Sequence, residues 1–137
     1  MLEWNERYSV GVESIDNAHK EIFSIVNRLH KAMRTGGNSK WTASEAIKYL
    51  KSYTLKHFQD EEAYMLLIGF RDYENHKIVH DGMRDKIIPR LSSYLEVSDY
   101  SDESVESFLT ICEKWLHKHI LGQDRELLKY AVRDDEE

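Results

Sequence analysis

Residues 57–80 read HFQDEEAYMLLIGFRDYENHKIVH. His57 and Glu61 stand four apart in the first half of this stretch, and His76 and His80 stand four apart in the second. Residues four apart on an α-helix share one face, with roughly 6 Å between Cβ atoms. Gly69 lies between the two pairs and predicts a turn. Two helices joined there would run antiparallel and present four metal-ligating side chains to each other.

The flanking segments carry the same periodicity. Ile15, His19, Ile22, Val26, Leu29 and Met33 recur at steps of four and three, the apolar seam of a helix with a histidine in it. Ser14 or Asp16 is its expected N-cap, and Thr35-Gly36-Gly37-Asn38 its stop. A second helix, capped by Ser39 or Thr42, takes Ala46, Leu50, Tyr53, His57, Glu61, Tyr64 and Ile68 as its seam. A third takes Tyr73, His76, His80, Met83 and Ile87, with Pro89 expected to end or kink it. Residues 92–104 read as a polar connection in which Ser101 or Asp102 caps a fourth helix. Val105, Leu109, Cys112, Leu116 and His119 form that helix's seam, Gly122 is its expected stop, and a short terminal helix holds Leu127 and Leu128.

Four amphipathic helices with mostly short connections predict an all-α, antiparallel up-down-up-down four-helix bundle. The expected organisation is one domain over 1–137. Residues 1–13 form an extended N-terminal arm with Trp4 and Tyr8 packed on the body, 14–131 the bundle with its short C-terminal helix, and 132–137 an acidic tail.

Composition narrows the function classes. A net charge of -6 without a basic run argues against a nucleic-acid surface. The single cysteine, Cys112, cannot form an internal disulfide, so a reducing, cytoplasmic setting is expected. The start, MLEWNERYSV, has no positive region followed by an apolar stretch, and no run approaches the roughly 20 apolar residues of a membrane span. Neither a signal peptide nor direct membrane insertion is expected.

A lone histidine on an apolar seam is ordinarily a hydrogen-bonded core residue. Here five of the seven histidines fall on seams, from all four helices, together with a carboxylate whose burial is costly unless it is paired or bound to metal. His117 is in phase with Glu106, Thr110 and Glu113 and reads as a surface histidine. His30 is one step off its seam, and Glu62 reads as solvated. Asp124 follows His119 by five residues; spacing alone leaves it between a helix cap and a ligand turned inward by a break at Gly122.

With Asp124 included, five imidazoles and two carboxylates exceed the four ligands of structural zinc and are too rich in nitrogen for magnesium or calcium. Iron suits them best, ahead of manganese, cobalt or zinc. Seven ligands suffice for a pair of ions, and five histidines cannot divide evenly between two. With both carboxylates and an oxygen bridging, one ion keeps a position for a small ligand. Neither Glu-x-x-His nor His-Glu-x-x-His occurs, which separates this pattern from the carboxylate-rich di-iron bundles and the zinc proteases.

Four pieces carry a resemblance: YSVGVESIDNAHK at 8–20, HFQDEE at 57–62, HKIVH at 76–80 and WLHKHILGQD at 115–124. In order and spacing they resemble the hemerythrin family, in its prokaryotic form, the bacteriohemerythrins. The resemblance implies reversible O2 binding at a non-haem centre of two iron ions, cycling between Fe2+ and Fe3+ with a bridging oxo or hydroxo group, and no enzyme activity. It implies that His76, His80 and His119 hold one iron, that His19 and His57 hold the iron with the open position, and that Glu61 and Asp124 bridge. Leu116, one turn before His119, is expected to wall the O2 pocket. Ligands other than O2 would be NO or small anions. The implied settings are a carrier or store, or the O2- or redox-sensing domain of a larger signalling protein with a fused output domain. A di-iron redox enzyme (a peroxidase, or NO or O2 reduction) and an iron-storage bundle stand as the alternatives.

Overall fold

The computed structural model describes residues 3–34 and 40–127. Among the described residues five α-helical segments make four rods. Helix α1 spans Glu13–Arg34 and α2 spans Lys40–Leu67. The third rod is α3, Tyr73–Gly82, continued through a π-helical turn, Met83–Ile87, into α4, Ile88–Val97. Helix α5 spans Asp102–His119 and widens into a second π-turn, Ile120–Asp124. No strand occurs among the described residues. Helix α1 packs against α2 and α5, α2 against α3, and α4 against α5, which closes the ring of an antiparallel bundle. The stop at Thr35–Asn38, the Ser39 cap and residues 128–137, with Leu128 and the acidic tail, lie outside the described residues.

The turn at Gly69 has the expected cause. Gly69 has φ 67, its N–H donates to Leu66 O, and the Phe70 N–H reaches back to Met65 O. This pattern satisfies the last carbonyls of α2, and Phe70 and Met65 bury together over it. A Cβ at position 69 would meet nothing within 4 Å, so substitution strains only the backbone. Gly69→Ala is expected to lower unfolding stability by about 1 kcal/mol, the cost of a left-handed L-residue, read as a lower denaturant midpoint with unchanged slope.

Several expectations need correction. Pro89 does not end the third helix, and residues 92–97 are helical rather than a connection. An α-turn would drive the Pro89 ring into the carbonyl of Asp85. The π-turn, closed by the Ile88 N–H on Met83 O, lets the rod run on. Gly122 does not stop α5 but lies inside its π-turn. Ser14 and Asp16 do not cap α1, which begins at Glu13; Asp16 instead accepts hydrogen bonds from Ser9 Oγ at 2.7 Å and Val10 N at 2.9 Å, tying the arm down. Helix α2 begins at Lys40, ahead of Thr42. The arm is not extended throughout, since Glu6–Tyr8 form a 3-10 turn capped by Asn5. Its aromatics do pack inward: Tyr8 meets Phe23 edge-on at 5.1 Å between ring centres, with Trp4 beside both. Ser101 caps α5, accepting from Ser104 N.

The buried stripe of α2 runs through Ala43, Ile47, Leu50, Thr54, Phe58 and Met65 as well as His57 and Glu61. Ala46, Tyr53, Tyr64 and Ile68 are only half-buried. A bundle helix faces two neighbours, so its apolar stripe is wider than one seam. Two apolar clusters result. The larger contains Ile22, Val26, Leu50, Phe108, Leu109 and Leu116; the smaller contains Val10, Ile15, Met65, Phe70 and Leu127. His19, His57 and Glu61 lie between them along α1 and α2.

Candidate metal centre

The six residues singled out by spacing and Asp124, which the resemblance added, converge between these clusters, and none is more than 5% exposed. They meet through the Nε2 atoms of the histidines and the oxygens of Glu61 and Asp124. His76 Nε2 lies 2.6 Å from Glu61 Oε1 and 2.8 Å from Asp124 Oδ1. Asp124 also reaches His119 at 3.0 Å and His19 at 3.2 Å, while Glu61 reaches His57 at 3.1 Å and His80 at 3.4 Å. Among the described residues the ligand atoms fall into two groups, each within 4.8 Å. One is Glu61, His76, His80, His119 and Asp124; the other is His19, His57, Glu61 and Asp124. The two carboxylates are common to both.

The π-turn explains how Asp124 gets there. Five residues along an α-helix advance a side chain to about 140° from its start. With the wider turn of Ile120–Asp124, Asp124 comes back under His119 and is fully buried.

The donor set fits metal. His19 Nε2 and His57 Nε2 are 2.8 Å apart, and His80 Nε2 and His119 Nε2 are 3.1 Å apart. Facing lone pairs at that distance need a proton or a cation between them. Among the described residues, both oxygens of Glu61 and both of Asp124 lack a hydrogen bond of good geometry despite complete burial. Buried carboxylates in that condition are costly unless paired or metal-bound.

The electrostatics among these side chains point the same way. Burial and the charge of Asp124 oppose ionisation of Glu61, yet close pairing with His57, His76 and His80 holds its pKa down at about 2. Asp124 is likewise held well below the usual carboxylate range, burial being outweighed by His119, His19 and His76. Burial alone would lower His76, but Asp124 and Glu61 raise it to about 9. His57 is raised against its burial by Glu61 and Asp124.

Two aromatic rings fix the histidines from outside. Phe58 stacks on His80 at 4.1 Å and Trp115 on His119 at 4.4 Å. Two polar partners escaped the sequence reading. Glu62 is 9% exposed, not solvated, and accepts from His80 Nδ1 at 2.8 Å. Gln123 accepts from His119 Nδ1 at 2.9 Å. Both had a signal: Phe58, Glu62 and Met65 step by four and three beside the main seam, and Gln123 follows His119 by four. His117 is exposed, as expected, though its Nδ1 holds the hydroxyl of Tyr8 at 2.9 Å. His30 is half-buried and pairs with Glu113.

The sequence model of the hemerythrin HHE cation binding domain matches residues 10–131. The chain belongs to the hemerythrin family. The span matched takes in His19, His57, Glu61, His76, His80, His119 and Asp124. Among relatives, the bacteriohemerythrin of Clostridium acetobutylicum is 29% identical over 131 residues, covering 93% of this chain and 99% of that one. The bacteriohemerythrin of Pseudomonas aeruginosa is 31% identical over 123 residues, 90% of this chain and 76% of that one. A hemerythrin-like protein of Naegleria gruberi is 24% identical over 123 residues, 90% of this chain and 87% of that one. The fold of this hemerythrin-family chain, four rods around a buried histidine–carboxylate cluster, accords with that membership.

Proposed function

We propose that this chain binds O2 reversibly at a pair of non-haem iron ions and is not itself an enzyme. The observation that carries the reading is the division of one buried cluster into two ligand groups with Glu61 and Asp124 common to both. His76, His80 and His119 would hold one iron, His19 and His57 would hold the other, and Glu61 and Asp124 would serve both. When bound, the iron pair supplies the electrons that make O2 binding reversible and redox-linked. The protein supplies a fixed set of donors and a dry surround. The group with two histidines has one protein ligand fewer, so the small ligand would bind on that side.

An apolar cavity of about 20 Å³ adjoins the centre, lined in part by Ile22, Thr54, Met83, Phe108 and Leu116. That is room for about one water-sized molecule. Ile22, Thr54, Met83 and Leu116 each sit three residues from His19, His57, His80 and His119, so the cavity is stacked one turn along the bundle from the metal cluster. Leu116, 6% exposed, walls it and excludes water and anions. Leu116→Ala enlarges this space and is expected to speed autoxidation of the iron-loaded protein several-fold. An unchanged rate would remove Leu116 from that role.

The protein acts as a carrier or store of O2, or as the sensing domain of a longer signalling chain. We place the protein in the cytoplasm. A single free cysteine, Cys112, with no internal disulfide partner suits a reducing compartment. The deciding experiment loads the metal-free protein with ferrous iron without oxygen, adds O2, then removes it. Two irons per chain and visible bands that appear with O2 and fade on its removal are expected. Bands that persist, or steady turnover with a reductant, would indicate a redox enzyme instead.

A further inference from the structure

Glu62 and Arg84 lie outside the seven proposed ligands, yet they form a partly buried ion pair against one of them. Glu62 adjoins the anionic Glu61 in sequence, and two neighbouring buried carboxylates repel. What holds Glu62 in place is Arg84, whose Nη2 donates to Glu62 Oε2 at 2.7 Å while its Nη1 donates to Asp81 at 2.6 Å. The same Glu62 oxygen accepts from His80 Nδ1 at 2.8 Å. Arg84 also lies over the ring of Phe58 at 5.7 Å, and Phe58 stacks on His80. Arg84 sits in the π-turn that begins three residues after His80. Such a pair is weak evidence of stability, since desolvating two charges offsets most of their attraction. Its geometry is instead aimed at one imidazole.

We propose that Glu62, anchored by Arg84, is a positioning residue for His80. A carboxylate can only accept, so it holds the His80 proton on Nδ1 and leaves the Nε2 lone pair facing the centre. The negative charge also strengthens Nε2 as a donor, which tightens iron binding on the three-histidine side and favours its ferric state. Two of the other histidines differ from His80 in this respect. His119 receives only the neutral Gln123, and His19 Nδ1 has no hydrogen-bond partner among the described residues. The two irons are thereby made unequal by the protein outside their ligands. This role rests on the di-iron reading above.

Glu62→Gln keeps an acceptor without the charge, and Glu62→Ala removes both. The measurements are ferrous affinity by chelator competition, midpoint potential by redox titration, Mössbauer spectra of the loaded protein, and thermal unfolding of the metal-free protein. Glu62→Ala is expected to weaken one iron by 10–100-fold, the usual cost of losing an outer partner. Glu62→Gln is expected to retain most of the affinity, to lose about tenfold in ferric preference, about 59 mV upward for one electron, and to perturb one of two iron signals. Its metal-free unfolding temperature should match wild type. Wild-type potential and affinity in both variants would overturn the role, as would losses that only track metal-free stability. Failure of the wild type to take up iron would overturn the di-iron reading itself, and this role with it.

Discussion

Glu61→Ala is expected to abolish loading of both irons, whereas His57→Ala should weaken one and spare the other. Glu61 belongs to both ligand groups and lies 2.6 Å from His76, 3.1 Å from His57 and 3.4 Å from His80. Losing an outer partner of a metal ligand costs roughly 10–100-fold in affinity. A directly shared, charged ligand must cost more, because each ion loses an anionic oxygen and the remaining donors are mostly neutral imidazoles. The O2-dependent absorption should vanish with the iron. Glu61→Gln keeps the volume and guards against collapse of the pocket; it too should fail to hold the pair. His117→Ala and His30→Ala are controls, since His117 binds Tyr8 and His30 pairs with Glu113, both away from the cluster. They should load as wild type. Normal iron content and normal bands in Glu61→Ala would refute the shared-carboxylate assignment.

The legible parts of this protein are those with a period. Steps of three and four placed His19, His57, Glu61, His76, His80 and His119 inside, because a side chain in phase with buried leucines and isoleucines has nowhere else to point. Rejecting His117 by phase worked for the same reason. Asp124 was ambiguous because its position depends on a π-turn, and i to i+5 geometry leaves no periodic mark in the sequence. Pro89 was expected to end or kink its helix; the rod does not end there, because the π-turn Met83–Ile87 absorbs the clash. Glu62 was misread because a charge beside a buried charge reads as solvent-facing, and only the tertiary approach of Arg84 from the third rod makes its burial tolerable. Local chemistry is written in spacing, whereas the compensations between rods appear only once the rods are packed.

The metal-free and iron-loaded proteins are expected to respond oppositely to pH. His76 is raised from 6.5 to about 9 in the folded, metal-free state. Folding is therefore favoured by its protonation fully below about pH 6.5, and that contribution disappears as pH climbs through 9. Glu61 is lowered from 4.5 to about 2, and Asp124 lies well below 3.8. Their contribution is present above the ordinary carboxylate range and is lost as pH falls toward 2. The metal-free protein should accordingly be most stable between about pH 4.5 and 6.5 and lose several degrees of Tm from 6.5 to 9. Iron reverses the upper limb. To serve as a ligand His76 must shed its proton, so iron binding at pH 7–8 should release about one proton per chain from His76, with a further share from the raised His57. Apparent iron affinity then rises with pH up to about 9, and the iron-loaded Tm holds or increases where the metal-free Tm falls. Unfolding scans of both forms at several pH values, with a pH-indicator dye following anaerobic ferrous loading in weak buffer, make the comparison. Proton release near zero, together with a flat metal-free Tm across 6.5–9, would mean that the folded pocket holds its histidines neutral and that iron meets donors already free.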